Sequence, residues 1–455
     1  MSDKSSEIIQ EPEKRLSGML GFTVVWIGQM FSLLGTNMTG FAMTIWAWQV
    51  TGQATTLALV GFFSFAPVVL MSPIAGAIVD RHNRKHIMML ADLAAGLPTV
   101  AVLLLFLTNN LQIWHLYITG LVAGSFQAFH FPAYSAAVTM MVSKKHYGRA
   151  SGMLSTAQFV ANILAPVLAA LVMSLLGITA VLSIDIVTFT VAICMLFFVH
   201  IRQPPMTEAG HKGMGSLWKE SLYGFRYIYE RPSLLGLQLV FFCINLVATF
   251  GNTVLSPMIL ARTESNLILG TVFSAGGVGG LIGSIVLTIW GGPKRKVHGL
   301  LLGMAFLSIF SGLMMGTGRD VTVWATAAFL SMLFMPIVNG SSQAIWQSKV
   351  APDVQGRVFA TRLLIAQISV PAAMLLAGSL ADWLFEPAMT STGYLSPAFG
   401  WLVGTGHGAG MALMLFLAGI FGIFICVGGY AFRTVRNAET ILPDYEAKAP
   451  PVAEK

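Results

Sequence analysis

The stretch GAIVDRHNRK, from Gly76 to Lys85, decides the fold, because it joins two long apolar runs through a short polar loop. The run before it covers about 54–79 and the run after it about 86–107. Each exceeds the roughly 20 residues that an α-helix needs to cross a hydrocarbon core about 30 Å thick. The stretch is therefore predicted to be a charged turn between two membrane-spanning helices.

Composition extends this prediction to the whole chain. Of its 455 residues, 55% are hydrophobic and only 10% are charged, against about 25% charged in ordinary soluble domains. Charge this sparse cannot cover a soluble surface, which predicts an all-α integral membrane protein whose spanning backbone is hydrogen-bonded within helices. The net charge of +7 does not indicate nucleic acid, because the basic residues are spread among loops instead of clustering on one face.

Twelve apolar runs are long enough to span a membrane, and we interpret them as twelve transmembrane helices. They cover roughly 19–47, 54–79, 86–107, 113–140, 150–175, 178–200, 233–259, 267–290, 299–317, 322–346, 357–383 and 407–431. The predicted organisation is a tail at 1–18, a six-helix bundle at 19–200, a central loop at 201–232, a six-helix bundle at 233–431 and a tail at 432–455.

The basic residues predict the orientation. Of the 26 Lys and Arg residues, only Arg262 and Arg319 lie in loops that follow odd-numbered runs. By the positive-inside rule, this places both tails in the cytoplasm of a multi-pass cell-membrane protein. The central loop carries apolar residues at helical spacing, which indicates a helix on the membrane surface; a regulatory or partner-binding helix is the alternative. These residues are Leu217, Leu222, Phe225 and Tyr229.

The two halves of the chain repeat each other. Gly76 is matched by Gly283 at a separation of 207 residues, and Gly148 by Gly356 at 208. The polar hinge is matched by the basic run GGPKRK at 291–296. A nearly constant separation predicts two six-helix repeats in the same topological order, an arrangement known among transporters, with a substrate site between them near the membrane midplane.

Uncharged polar residues on four spans predict where that site lies. Buried amides and hydroxyls are unfavourable in hydrocarbon, so these faces are expected to point inward to a shared, neutral cavity. Hydrogen bonding between helices is the alternative for each of them. The residues are Gln29, Ser32 and Thr36 on span 1, Gln127, His130 and Tyr134 on span 4, Asn245, Thr249 and Asn252 on span 7, and Asn339, Gln343 and Trp346 on span 10.

Few titratable residues lie within the spans. Asp185 and His130 are the predicted carriers of a coupling proton, since a desolvated carboxylate is pushed toward neutrality and histidine titrates near physiological pH. The alternative for Asp185 is a structural carboxylate bonded to neighbouring helices. Asp92, near the start of span 3, is expected to pair with hinge or loop groups.

Other classes of chemistry lack their motifs. The chain has neither a GxxxxGK[ST] phosphate loop nor HExxH, so neither ATP-driven pumping nor zinc hydrolysis is predicted. Cys194, Cys243 and Cys426 all lie within apolar runs, which favours buried thiols over a disulfide or metal site. We therefore predict a protein that is not an enzyme and has no metal or cofactor.

The hinge resembles the loop signature of the major facilitator superfamily: a glycine, then Asp-Arg, then a basic pair, between spans 2 and 3. Within that superfamily, FHFPAYSAAV at 129–138, GRASGMLSTAQ at 148–158 and the segment 343–387 resemble the branch of macrolide and enterobactin-type exporters. The resemblance implies a monomeric secondary transporter that works by alternating access and exports a hydrophobic or amphipathic small molecule against proton entry.

The resemblance also implies a cytoplasmic gate. In the family, the aspartate at the place of Asp80 caps the start of helix 11 in the outward-facing state. The charge network carried over from the family comprises Asp80, Arg81, Arg84, Lys85 and Arg357. Asn83 replaces the second loop glycine of the family and is expected to tolerate a left-handed backbone. An arginine that many relatives carry after the aspartate corresponding to Asp92 is absent here.

Two further interpretations remain open at this stage. A transporter that moves a lipid or lysolipid between leaflets would also suit a neutral, aromatic cavity. A membrane sensor that keeps the fold without transport is favoured only by the long central loop. Substrate-dependent proton flux in liposomes would separate the exporter from the sensor.

Overall fold

The computed structural model describes residues 18–142, 147–199, 201, 224–350 and 355–442. Within these ranges lie twelve helices of membrane length, numbered α1 to α12. Their bounds are Gly18–Thr51, Ala54–Arg81, Arg84–Leu107, Ile113–Met141, Tyr147–Leu176, Ile178–Phe198, Pro232–Thr263, Asn266–Trp290, Lys296–Thr317, Val321–Lys349, Gln355–Leu380 and Ala409–Ala431. A π-helical turn, Ala381–Phe385, prolongs α11 as far as Glu386–Ala388.

The helices confirm the prediction of an all-α membrane protein. Eleven of them are long and apolar enough to cross a membrane, and α4 is 29 residues long. The predicted ends of the spans differ from the helix ends by several residues in places. α1 continues to Thr51 instead of ending near 47, and α11 continues through its π turn beyond 383.

Local side-chain chemistry fixes several helix ends. Asp320 caps α10, because its Oδ1 accepts hydrogen bonds from the backbone nitrogens of Thr322 and Val323 at 2.9 and 3.1 Å. Asn83 caps α3 by accepting from Lys85 N at 3.0 Å. The backbone of Asn83 is extended, with φ −64°, so this position does not use the left-handed conformation that asparagine tolerates. The amide serves as an acceptor for exposed helix nitrogens instead.

The helix packing of one half is repeated in the other. In the first half α1 packs against α5 and α6, and α2 against α4; in the second, α7 packs against α11 and α12, and α8 against α10. Glycines allow the equivalent close approaches. Gly124 lies against the backbone of Ser64, and Gly279 and Gly283 lie against the backbones of Phe329 and Leu333.

Within the described residues, the two halves share a buried core at one end of the bundle. We call the end where α1 begins and α12 ends the tail end, and the opposite end the far end. A buried cluster at the far end combines Ile45 and Ala54 of the first half with Ile259, Leu269 and Ala381 of the second. At the tail end, no described cluster combines residues of both six-helix bundles. Among the described residues, the buried core that the two halves share therefore lies at the far end.

The exposure of two thiols differs from expectation, whereas the central loop is described only in its last part. Cys426 is buried, but Cys243 is partly exposed and Cys194 is exposed on α6, so uniform burial was wrong; their helices turn them away from the core. Of the predicted amphipathic helix, residues 224–229 are helical. Leu217 and Leu222 lie outside the described residues.

Candidate functional site

Three polar side chains from three helices meet inside the first half. Asp92 lies on α3, about 12 Å along the helix from its start. Its Oδ2 accepts a hydrogen bond from Nε2 of Gln29, on α1, at 2.7 Å. Its Oδ1 lies 3.0 Å from Nε2 of His130, on α4. Because Asp92 is only 6% exposed, its carboxylate is removed from water and held by these two neighbours.

The imidazole of His130 is oriented by the same arrangement. Its Nε2 also lies 3.1 Å from Oε1 of Gln29, so this nitrogen faces two acceptors. Nε2 therefore carries a hydrogen and donates, which leaves Nδ1 as the nitrogen that gains or loses a proton. In the part of the chain that the structure describes, Nδ1 has no hydrogen-bond partner, and the His130 side chain is 18% exposed.

The pairing of Asp92 with hinge or loop groups was a wrong expectation. Two turns of α3 separate its carboxylate from the hinge, and the donors that a buried carboxylate needs come from α1 and α4. Gln29 and His130 were both predicted to face inward. Sequence reasoning missed the carboxylate that Gln29 and His130 share, because Asp92 lies on a third helix, 63 residues from Gln29.

A second buried carboxylate joins another set of helices. Asp185, on α6, is 2% exposed. Its Oδ1 accepts from Oγ1 of Thr36, on α1, at 3.1 Å, and its Oδ2 from Oγ1 of Thr99, on α3, at 2.9 Å. Gly35 makes room for this contact, because a Cβ there would meet Asp185. Hydroxyl groups on two other helices thus donate hydrogen bonds to Asp185, which is the environment expected of a structural carboxylate.

The other predicted residues of the first half are distributed around these two sites. Ser32 and Tyr134 are buried, whereas Gln127 is exposed. The ring of Tyr134 lies 6.0 Å from that of His130. Its hydroxyl has no hydrogen-bond partner within the described ranges. An unpaired buried hydroxyl next to His130 enlarges the polar environment of the imidazole.

The predicted residues of α7 do not form one site. Asn245 donates to the carbonyl oxygen of Phe241 on its own helix at 3.0 Å, and Thr249 is partly exposed. Asn252 borders a cleft that α7 forms with α9 and α12, and its spacing of seven residues places it on the same face of α7 as Asn245. On α10, Asn339 is exposed.

The remaining predicted residues of α10 lie next to an arginine that we did not predict as a site residue. Arg362, on α11, donates from Nη1 to Oε1 of Gln343 at 3.0 Å and from Nη2 to Oγ of Ser342 at 2.8 Å. Its guanidinium carbon lies 5.2 Å from the ring centre of Trp346 and 5.8 Å from that of Phe241. The expectation of a neutral cavity is wrong here, because a cation adjoins the predicted amide and indole.

The predicted gating residues are only partly described. The side chains that lie outside the described residues are those of Asp80, Arg81 and Arg357. Arg84 is the first residue of α3. Lys85, beside it, donates from Nζ to the carbonyl oxygens of Phe197 and Val199 at 2.8 and 2.7 Å. Lys85 thus places a positive charge at the negative end of α6, within the first half.

Twelve membrane-length helices in two repeated halves, which share a buried core at the far end and enclose buried polar groups, are the architecture of a polytopic membrane transporter. The sequence profile of the Major Facilitator Superfamily matches residues 25–374, so the chain belongs to that superfamily. This confirms the predicted family and fold, and it makes the protein a transporter and not an enzyme.

Several relatives of this chain are efflux proteins. Macrolide efflux protein A of Streptococcus pyogenes is 25% identical over 378 residues, which cover 81% of this chain and 91% of that protein. The enterobactin exporter EntS of Shigella boydii serotype 18 is 22% identical over 69% of this chain and 73% of its own length. These similarities confirm the predicted branch at low identity.

The fold is also that of solved transporters. A bacterial homolog of the human lysosomal transporter Spinster, solved in an inward-facing and unoccupied conformation, matches with a TM-score of 0.64 at 13% identity. The match covers 90% of this chain and 98% of that protein. At this identity the likeness establishes the shared fold alone.

Proposed function

We propose that this chain is a secondary active transporter that exports a hydrophobic or amphipathic small molecule in exchange for protons. The observation that carries the proposal is the buried pair of Asp92 and His130, held by Gln29 on a third helix. A titratable pair inside a membrane protein is typical of proton relays. The efflux activity of the relatives supports the outward direction and the substrate class.

The geometry suggests how a proton is held. When Nδ1 of His130 is protonated, the ring becomes an imidazolium 3.0 Å from Oδ1 of Asp92, and the two form an ion pair. When the proton leaves, the carboxylate keeps two neutral donors, Nε2 of His130 and Nε2 of Gln29. Both charge states therefore retain partners, which a group that loads and unloads a proton in each cycle requires.

The proton site and the substrate face share side chains in this proposal. Gln29 and His130 belong both to the pair's hydrogen-bond network and to the predicted inward faces of α1 and α4. A substrate that contacts either side chain changes the environment of the proton. Exchange then follows if substrate and proton stabilise opposite states of the transporter.

Alternating access also requires the halves to rock. On this proposal the tail end and both termini face the cytoplasm, as the positive-inside rule predicts. On this proposal the six-helix bundles at 19–200 and 233–431 move about the contacts at the far end. The gate that closes the tail end is formed by the hinge residues Asp80, Arg81, Arg84 and Lys85, together with Arg357 at the start of α11.

Reconstitution tests the function directly. Purified protein in liposomes that contain a pH-sensitive dye is given an outward-directed or inward-directed proton gradient and a panel comprising a macrolide, a catecholate siderophore and a lysolipid. We expect proton flux that depends on the macrolide or the siderophore. Flux with the lysolipid alone would support a lipid transporter, and the absence of flux with every compound would support the sensor and contradict the proposal.

A further inference from the structure

Arg362 is a cation within the membrane-spanning part of α11 that has no acidic partner among the described residues. It lies about 11 Å along α11 from the start of the helix at Gln355. The two acceptors that contact its guanidinium, Gln343 Oε1 and Ser342 Oγ, are both neutral. A guanidinium has five N–H donors, so these two hydrogen bonds leave three donors without a partner among the described residues.

Its surroundings are those of a binding site instead of a solvated surface. Trp346, 2% exposed, lies beneath the guanidinium, and Phe241 of α7 lies beside it. Gln238 of α7 is also buried and donates from Nε2 to the carbonyl oxygen of Arg362 at 3.1 Å, which fixes the backbone of α11 at this turn. The side chain is therefore held by α7 and α10 on one side.

The other side of the guanidinium is not covered by the described core. Arg362 is partly exposed, and the described core cluster around Trp346 contains residues of the second half and Ile228 of the central loop, but none of the first half. A charged side chain that faces lipid at this depth is strongly unfavourable. We therefore expect the exposed donors to point into the space between the halves, where the proposed function places the substrate.

We infer that Arg362, with Gln343 and Trp346, binds the anionic group of an amphipathic substrate. The guanidinium fork matches the two oxygens of a carboxylate or phosphate, and the neighbouring rings contact the apolar body. The inference rests on the proposed function in placing substrate between the halves, and it narrows the substrate class to amphiphiles that carry a carboxylate or a phosphate.

Equilibrium binding tests the inference without a proton gradient. The probe is 11-(dansylamino)undecanoic acid, compared with its neutral methyl ester, and binding to the detergent-solubilised protein is followed by dansyl fluorescence. For the wild-type protein we expect the acid to bind about tenfold more tightly than the ester, the value of one charge-assisted hydrogen bond. Competition by lysophosphatidylglycerol, but not by lysophosphatidylcholine or by inorganic phosphate, would identify a lipid phosphate as an accepted anion.

Three variants connect this preference to the residue. Arg362→Gln removes the charge and should reduce the ratio of the two affinities to about one, whereas Arg433→Gln, which removes an exposed cation at the tail end, should leave it unchanged. Gln343→Glu supplies an internal acidic partner and should also abolish the preference, even if Arg362→Gln does not fold.

Two results would overturn the inference. One is a wild-type protein that binds acid and ester equally well. The other is a preference for the acid that persists in Gln343→Glu and in folded Arg362→Gln. Because no proton gradient is present, these outcomes are independent of whether transport is coupled to protons, which is tested separately by the liposome flux.

Discussion

Asp382 in the second half caps the helix that starts at Ala54 in the first half. Its Oδ1 accepts a hydrogen bond from the backbone nitrogen of Ala54 at 2.9 Å, and its Oδ2 accepts one from Thr55 at 2.7 Å. Gln53, the residue at the N-cap position of α2, makes no side-chain cap of its own. The contact therefore joins the two halves at the far end, where their shared core lies.

The first prediction is that Asp382→Asn weakens the closed far end. The amide loses the charge that favours a helix N-terminus and one of two acceptor oxygens, a change worth about 1–2 kcal/mol. The measurement is the distance between spin labels at Asn110→Cys and Thr392→Cys, exposed positions on the two halves at this end. We expect a larger population of long distances.

Asp320→Asn is the matched control for this prediction. Asp320 also caps a helix, α10, but through Oδ1 alone, and its partners Thr322 and Val323 belong to the same half. Its substitution should lower stability by a similar amount without changing the spin-label distances. Equal distance distributions in Asp382→Asn and in the wild-type protein would contradict a gating role for Asp382.

The second prediction concerns the proton. His130→Gln and Asp92→Asn should each abolish substrate-dependent proton flux in liposomes, because neither variant can form the ion pair between α3 and α4. His82→Gln is the control, since His82 is an exposed histidine whose hydrogen bond among the described residues is to the carbonyl oxygen of Ile78 on its own helix. Normal coupling in both site variants would remove this pair from the mechanism.

The third prediction separates Asp185 from coupling. Asp185→Asn places an NH2 group where an oxygen accepts from the hydroxyl of Thr36 or Thr99, so a buried hydrogen bond is lost. We expect a destabilisation of about 1–3 kcal/mol, seen as a lower melting temperature, with proton coupling intact. Thr99→Val should lower the melting temperature in the same way. A folded Asp185→Asn protein without coupling would instead make Asp185 a proton carrier.

The fourth prediction uses two adjacent glycines of α8. A Cβ at Gly279 would overlap the backbone carbonyl of Phe329 on α10, whereas at Gly280 the nearest atom is the carbonyl oxygen of Met332, 3.9 Å away. Gly279→Ala should therefore destabilise the protein by about 1–3 kcal/mol through overpacking. Gly280→Ala should be nearly neutral or slightly stabilising. Thermal unfolding in detergent compares them, and equal melting temperatures would contradict the close packing of α8 and α10.

The fold was predictable because it depends on signals that lie close together in the sequence. Apolar runs of membrane length, loop charges and a repeat near 207 residues are each visible without any knowledge of contacts. The helix ends were less predictable. Asp320 caps its own helix and is visible locally, but α11 passes through a π turn after Leu380 that no residue pattern indicated.

The candidate site was predictable only in part. The inward faces of α1 and α4 followed from buried amides, which must avoid hydrocarbon. The contact between Gln29 and Asp92 could not be predicted, because the two residues are 63 positions apart and the orientation of Asp92 depends on how α3 packs. Arg362 was counted among the basic residues of the tail side. Its position within an apolar run is a local signal that could have identified it.

The charge of Arg362 has an electrical consequence. One elementary charge that crosses the whole membrane potential gains or loses about 2.3 kcal/mol per 100 mV. If the rocking of the second half carries this guanidinium through part of that field, the empty transporter prefers one state according to voltage. A bound anion cancels the charge and removes the preference. Membrane voltage would then drive the return of the empty transporter while leaving the loaded step unaffected.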